Sequence, residues 1–191
     1  MVPSWGRPRR RAVHKTANLM QTAQYIQRVP AHVRRQIIPI EDRIEFGDPL
    51  FNEAISMWFD RQIDCVGLPD WSLFKPFEHP KLLPHVSVAK LESSDYRIVL
   101  VGEEIRSFLS VKIEGKLLSK VMPSVNGADV AYRLDRAIAD HRPNYVEKTM
   151  AWDGGNEFIQ YAALHLPFRS NDEGCARVLT LARFSTSTRD A

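Results

Sequence analysis

A pair of β-rich runs near the middle of the chain constrains its fold most. Residues 86–91 and 96–101 are rich in valine, isoleucine and leucine, and only the polar residues 92–95 separate them. A connector of this length is typical of a β-hairpin. The pair directly follows the segment Leu82-Leu83-Pro84-His85 and directly precedes Gly102. It therefore predicts the first two strands of an antiparallel sheet.

Three further strand-like runs follow Pro143. Residues 145–152 and 157–168 are joined through Asp153-Gly154-Gly155, and glycines suit the positive φ angles of a tight turn. The third run, residues 176–184, comes after a polar loop. Two strands, a helical segment and three consecutive antiparallel strands predict an α+β fold. We expect a five-stranded antiparallel sheet in the spatial order 2-1-5-4-3, with helices on one face and an N-terminal helical extension.

Two of the helices that the spacing of apolar residues predicts are long. Asp48-Pro49 is a good helix start, because aspartate caps free N–H groups and proline lacks the N–H that the first turn would leave unpaired. The helix that follows, residues 49–63, carries a wide apolar stripe that must be covered. The stripe is expected to pack on the domain or on a second copy of the chain. Residues 128–141 form the other helix, which presents one apolar face.

Length and composition indicate one domain with an extension. The 191 residues are 44% hydrophobic, which is enough for one well-buried core. We assign residues 1–47 to a basic extension that is partly disordered or forms a short helix, residues 48–184 to the domain, and residues 185–191 to a tail. No apolar run approaches the ~20 residues of a membrane span, and no secretory signal follows the basic N-terminus. We therefore expect a cytoplasmic protein without a transmembrane segment.

The charge of the chain is unevenly distributed. The first 43 residues hold nine Lys and Arg side chains and two acidic ones, a net of +7, so the remaining 148 residues carry −4 of the formal +3. Such an arm can steer toward nucleic acid, anionic lipid or an acidic partner. No aromatic residues interleave with Arg9-Arg10-Arg11, and no recognition-helix pattern follows. A solvated tail is the favoured interpretation, and nucleic-acid binding is a minor alternative.

Several short motifs occur together with this order of elements. They are Trp58, Gly67-Leu68-Pro69, Leu82-Leu83-Pro84-His85, Tyr96-Arg97-Ile98 with Gly102, Gly115, Pro143, and Tyr161 leading to Leu166-Pro167. In combination they resemble a bacterial PAS-like family of stand-alone sensor domains, over residues 48–184. The resemblance implies a PAS fold, in which a curved sheet and its covering helices can enclose a small molecule. It also implies a general signalling role and an N-terminal helix that is often used for dimer contacts.

The positions of side chains on the predicted strands and helices suggest a ligand pocket. Ala162 is small among large neighbours and would leave space on a concave sheet. The predicted walls are Ile105, Phe108, Leu134, Ile138, Trp152 and Ala162, with Tyr132 or Tyr161 as the polar contact. The alternative is that these residues only fill the core, as they do in PAS domains without a ligand.

The sequence shows no set of residues spaced for a reaction. It contains no Gly-x-Ser-x-Gly elbow and no glycine-rich phosphate loop. Cys65 and Cys175 are far apart, so neither a disulfide framework nor a structural zinc site is predicted, and neither has the surroundings of a flavin photosensor cysteine. A histidine could ligate haem in a PAS domain. Structural roles are favoured for His85, His141 and His165, and the cofactor is unknown.

The leading hypothesis is therefore a non-enzymatic PAS-like regulator that binds a small ligand or a protein partner. It would form a homodimer through the helix at residues 49–63 and pass its state to a separate signalling protein. Two alternatives stay open. One is a small α+β enzyme that uses the concave pocket, and the other is an adaptor that binds nucleic acid or an anionic membrane through its basic arm.

Overall fold

The fold is a mixed sheet-and-helix domain. The computed structural model describes residues 37–63, 67–109, 112–122, 125–150, 159–170 and 176–186. The strands are β1 (Ile38–Pro39), β2 (Val86–Glu92), β3 (Asp95–Val101), β4 (Asn144–Met150), β5 (Ile159–Arg169) and β6 (Ala176–Thr186). The helices are α1 (Pro49–Gln62), α2 (Glu103–Leu109), α3 (Leu118–Val121) and α4 (Val125–Ala139). Short 3-10 turns lie at Trp71–Leu73, Pro76–Glu78 and Leu83–His85. The predicted α+β class is confirmed.

All six strands form one antiparallel sheet in the order β1-β4-β5-β6-β2-β3. The prediction of five strands is corrected by β1, a two-residue strand that is too short to show a period in the sequence. The strand β6 pairs with both β5 and β2, so the two halves of the chain meet in the middle of the sheet. The local hairpins β2-β3 and β4-β5 lie on either side of this junction.

The sheet begins before residue 48, where the sequence placed the start of the domain. Ile38 and Pro39 pair with Tyr145 and Asn144 on β4. The next residue, Ile40, is 2% exposed, and its N–H donates to Pro143 O at 2.9 Å. The segment just before α1 is therefore part of the folded domain.

The helix α1 covers one face of the sheet. It begins as predicted, with the Asp48 carboxylate accepting a hydrogen bond from Leu50 N at 2.9 Å and Pro49 in the first turn. Its buried stripe packs on the leucines and phenylalanine of β5 and β6 that point to this side, which we call the α1 face. The buried members of this core on α1, β5 and β6 are Phe51, Ala54, Ile55, Met57, Trp58, Leu164, Leu166, Phe168, Leu179 and Leu181.

The opposite face, which we call the α4 face, carries the second core and is covered by α2, α3 and α4. Because side chains alternate along a strand, Val178 and Ala182 point to this side while Leu179 and Leu181 point to α1. The second core includes Tyr96, Ile98, Ile105, Leu109, Leu118, Ala131, Leu134, Val178 and Ala182. The helices α2, α3 and α4 thus share one face, and the N-terminal helix α1, which the sequence predicts to pack on the domain or on a second copy, packs on the other face of its own sheet.

Gly102 joins the β2-β3 hairpin to α2 at a point of close backbone approach. Its N–H donates to Val86 O at 2.7 Å. A Cβ atom at this position would lie 2.3 Å from Leu83 O and 2.4 Å from Pro84 O. Only glycine lets the start of α2 pass this close to the turn that precedes β2. The two parts of the motif at residues 82–85 and 102 are thus in direct contact.

Several predicted features lie outside the described residues. They are the arginine-rich segment within residues 1–36, Cys65, Trp152, the turn at 153–155 and Cys175. Among the helices that the structure does describe, none has the length and apolar character that crossing a bilayer requires.

Candidate functional site

A row of polar side chains crosses the α4 face of the sheet. Asn144, His165, Thr180 and Ser87 are successive register partners on β4, β5, β6 and β2, and register partners point to the same face. The Nδ1 atom of His165 lies 2.9 Å from Thr180 Oγ1. The leucines on either side of His165 belong to the core beneath α1, which confirms that this histidine faces away from them.

A charged group lies beside this row, between α4 and the strands β4 and β5. The Asp129 carboxylate accepts hydrogen bonds from Arg133 Nη2, at 3.1 Å, and from the Lys148 ammonium. The exposed fractions of the side chains are 2% for Arg133, 8% for Asp129 and 13% for Lys148. The guanidinium carbon of Arg133 lies 5.8 Å from the centre of the Tyr161 ring, within cation–π range. We call the following six residues the polar cluster: Asp129, Arg133, Asn144, Lys148, Tyr161 and His165.

Local geometry explains how these side chains meet. Asp129 and Arg133 are four residues apart on α4, so their side chains lie on the same helix face. Lys148 and Tyr161 are register partners on β4 and β5, and both point toward α4. The Asn144 amide nitrogen then donates to Arg133 O at 2.9 Å, which fixes the start of β4 to the middle of α4. The cluster thus joins the helix to two strands.

The cluster holds more positive than negative charge. One carboxylate, Asp129, faces two cations, Arg133 and Lys148. Burial lowers the pKa of Lys148, the hydrogen bond with Asp129 opposes this effect, and the charge of Arg133 adds to the lowering. A buried charge without a counter-charge is costly in free energy. An anion placed beside Arg133 and Lys148 would remove that cost.

Three polar atoms of the cluster are buried without a hydrogen-bond partner among the described residues. They are Asp129 Oδ1, Asn144 Oδ1 and His165 Nε2. Native proteins leave few such atoms, and each one indicates a functional group, an ordered water or a ligand. Three of them in one cluster favour a site that a further molecule completes.

The buried histidine makes the stability of the fold depend on pH. The pKa of His165 lies well below its ordinary value because burial disfavours the charged ring, and the Arg133 charge acts in the same direction. The folded protein keeps His165 neutral where the unfolded chain binds a proton. In the unfolded chain the histidine ring has a pKa of about 6.5, so the buried His165 does not reduce the free energy of unfolding above that pH. As the pH falls below it, the free energy of unfolding decreases by up to about 1.4 kcal/mol per pH unit.

We therefore expect His165→Gln to flatten the fall in unfolding free energy between about pH 7 and pH 5. Urea unfolding of the wild type and the variant at both pH values measures the difference in slope, which does not depend on the variant's absolute stability. His141→Gln, at an exposed histidine, is the control for replacing a histidine side chain by an amide. The pKa of His85 is also lowered, by burial and by Arg183, and this contribution is present in both variants. Parallel pH profiles for His165→Gln and the wild type would refute this assignment.

Most of the predicted pocket walls lie on the α4 face. Ile105, Leu134 and Ile138 belong to the second core. The ring of Phe108 stacks on Phe184, with centroids 4.3 Å apart, and Phe184 lies 6.2 Å from the ring of Tyr161. The apolar side chains therefore run without a break into the polar cluster. Trp152 lies outside the described residues.

Two predicted pocket residues lie elsewhere. Ala162 packs against the core beneath α1, because it is the strand neighbour of Tyr161 and side chains alternate. It cannot share a pocket wall with Ile105 and Leu134, and its place in that pocket is corrected. Tyr132 is 8% exposed and lines a different cleft, beside β1 and the end of α4.

Sequence reasoning missed Asp129, Arg133 and Lys148. The signal for the first two was an Asp-Arg pair at helical spacing along the border of the apolar face of α4. The sequence predicts that both residues lie on the solvent-exposed edge of the helix, whereas β4 and β5 cover them in the structure. Lys148 lies two residues after Val146 and so shares its strand face, but this pattern does not reveal the contact with α4.

Two other histidines of the domain are held by charged partners. His85 lies 3.2 Å from Arg183 Nη1, and Arg183 Nε donates to the N-cap carboxylate of Asp48 at 2.8 Å. His79 Nδ1 lies 3.1 Å from Glu53 Oε1. These contacts fit the structural role predicted for His85. The described residues contain no group of three or more His, Cys, Asp or Glu side chains placed to hold a metal ion.

Comparisons of the chain with models of protein families, with curated proteins and with solved structures give no significant match. The candidate function is therefore argued from the residues and geometry described above.

Proposed function

We propose that this protein is a non-enzymatic, PAS-like regulatory module that binds a small ligand at the polar cluster. The observation that carries the proposal is a buried group with two cations, one carboxylate and three polar atoms that lack partners among the described residues. A core that served stability alone would be better filled by apolar side chains. The cluster instead has the composition of a binding site, with a few convergent polar groups next to an apolar layer.

The excess positive charge indicates the chemistry of the ligand. An anionic group, such as a carboxylate or a phosphate, would neutralise the second cation of the Arg133–Lys148 pair and accept its hydrogen bonds. The apolar part of the ligand would pack toward Phe108 and Phe184. A small organic anion is therefore the ligand class that this site favours.

The sheet offers a route by which binding on the α4 face affects α1. Successive residues of β6 face opposite sides, so Ala182 and Phe184 belong to the α4 face while Arg183 binds the N-cap of α1 through Asp48. A shift of β6 under a ligand would alter this contact at the start of the helix. The α1 stripe is buried on its own sheet, and we propose that the changed position of α1 is passed to a separate signalling protein.

Native mass spectrometry of the full chain purified from its own host tests the proposal. We expect a bound small molecule of anionic character, and Lys148→Met is expected to lose it. This variant keeps the Asp129–Arg133 pair and removes only the excess cation. The control is Lys90→Met, a lysine on β2 outside the cluster, which retains the ligand. A wild-type protein without any bound molecule, or a molecule that persists in Lys148→Met, would contradict the proposal. The same spectra report whether the chain is a dimer.

A further inference from the structure

A second site lies at the surface, in a cleft between β1, the end of α4 and the start of β4. We propose that this cleft binds a small zwitterion of the α-amino acid type. The cleft has a volume of about 290 Å³, just below the usual range for drug-sized ligands. It is lined by Ile37, Pro39, Tyr132, Arg136, Asp140, Arg142, Pro143 and Asn144. The proposal goes beyond the polar cluster, with which the cleft shares one residue, Asn144.

The wall of the cleft carries charges of both signs. Arg136 Nη2 donates to Asp140 Oδ2 at 2.5 Å, and Arg142 Nη1 donates to Glu41 Oε1 at 2.6 Å. The Glu41 side chain is 75% exposed and that of Arg142 41%, and such a surface pair contributes only about 0–1 kcal/mol. Arg142 can therefore exchange Glu41 for the carboxylate of a ligand at little cost.

The cleft also has hydrogen-bonding groups that the protein leaves unused. Asn144 is 3% exposed, and its amide nitrogen is fixed by donating to Arg133 O at 2.9 Å. Its Oδ1 atom is buried and has no partner among the described residues, so a ligand donor would have to reach it at the inner end of the cleft. The hydroxyl of Tyr132, another lining residue, makes no hydrogen bond within the described part of the chain. An N–H group of a ligand fits the Asn144 acceptor.

The surroundings favour an ammonium group together with a carboxylate. The helix α4 ends at Ala139, and the carbonyl end of a helix attracts positive charge. Asp140 adds a carboxylate, while Arg136 and Arg142 supply the cations. A simple anion would use the arginines and leave Asn144 Oδ1 unpaired, whereas an ammonium group satisfies it. Ile37, Pro39 and Pro143 give an apolar wall for the ligand's side chain.

Isothermal titration of the full chain with each common amino acid at millimolar concentration tests the proposal. We expect at least one amino acid to bind, and its analogues without the amino group or without the carboxylate to bind at least about tenfold more weakly, which is about 1.4 kcal/mol. For leucine the two analogues are 4-methylpentanoate and 3-methylbutylamine. Equal binding of the deaminated analogue would make the cleft a plain anion site and overturn the proposal. Failure of every amino acid to bind would also overturn it.

A pair of arginine variants locates the binding. Arg142→Gln is expected to weaken binding of the amino acid by about tenfold or more. Arg43→Gln is the matched control, because Arg43 is similarly exposed at 46%, pairs with a single carboxylate, Asp60, and is not among the residues that line the cleft. An equal effect of the two variants would overturn the assignment to the cleft. Lys148→Met leaves this binding unchanged, so the failure of one site can be told from the failure of the other.

Discussion

Asp129→Asn is expected to lower the free energy of unfolding by about 3–5 kcal/mol, because it removes the one carboxylate that pairs with Arg133 and Lys148 among the described residues. Arg133 and Lys148 would then lie beside each other with 2% and 13% of their side chains exposed. Both charges would lack a counter-ion in a region of low dielectric constant. Urea unfolding followed by circular dichroism measures the change. We expect the unfolding midpoint to fall at nearly constant slope.

Asp60→Asn is the matched control for this prediction. It also removes a carboxylate from an arginine, Arg43, but the Asp60 side chain is 58% exposed. Water screens that pair, so we expect a change within about 1 kcal/mol. Equal, small effects of the two substitutions would show that water reaches the Asp129 group in solution. That result would remove the electrostatic argument for an anionic ligand.

A triple variant separates stability from binding. Asp129→Leu, Arg133→Met and Lys148→Met together replace the ionic group by apolar side chains of comparable size. Such replacements are often neutral or stabilising by about 1–4 kcal/mol. We therefore expect the triple variant to fold at least as stably as the wild type and to lose the ligand. A triple variant that is as unstable as Asp129→Asn would assign the polar cluster to folding alone.

The elements that the sequence predicts well are those determined by interactions between residues close together in the chain. The helix start at Asp48-Pro49 depends on a cap and a proline that act within one turn. The β2-β3 hairpin depends on two apolar runs and a short polar connector. His165 is placed on the correct face because its neighbours are leucines and side chains alternate. Each of these inferences needs information from only a few adjacent residues.

The arrangement of the layers needs information that local patterns do not contain. The stripe of α1 shows that the helix must be covered, but not whether its own sheet or a second copy covers it. The candidate site has the same difficulty, because Lys148 meets Asp129 only after β4 pairs with β5 and α4 packs on both. The sequence suggests Ala162 as a pocket residue because its side chain is small. Whether it lines the pocket depends instead on whether Tyr161 or Ala162 faces α4, and Ala162 packs beneath α1.

The second large loss in unfolding free energy is expected from a substitution at the contact between α1 and the sheet. Trp58 is fully buried, and its Nε1 donates to Pro167 O on β5 at 2.7 Å. Trp58→Ala would leave a cavity in the core beneath α1 and an unpaired carbonyl. We expect a loss of about 3–5 kcal/mol in the free energy of unfolding, measured by urea unfolding. Trp71→Ala is the control, since Trp71 is only partly buried at the edge of the same core, and a smaller loss is expected there.

The dependence of the unfolding midpoint on protein concentration shows whether α1 packs on its own chain or on a second copy. Because Trp58 binds Pro167 of its own chain, the loss caused by Trp58→Ala should be the same at low and high protein concentration. If the stripe of α1 instead packed on a second copy, unfolding would be coupled to dissociation, and the midpoint of the wild type would rise with concentration. Ile63 is 73% exposed at the end of the helix, so Ile63→Ser tests the remaining surface. A dimer that uses only this surface would dissociate in Ile63→Ser while each chain kept its stability.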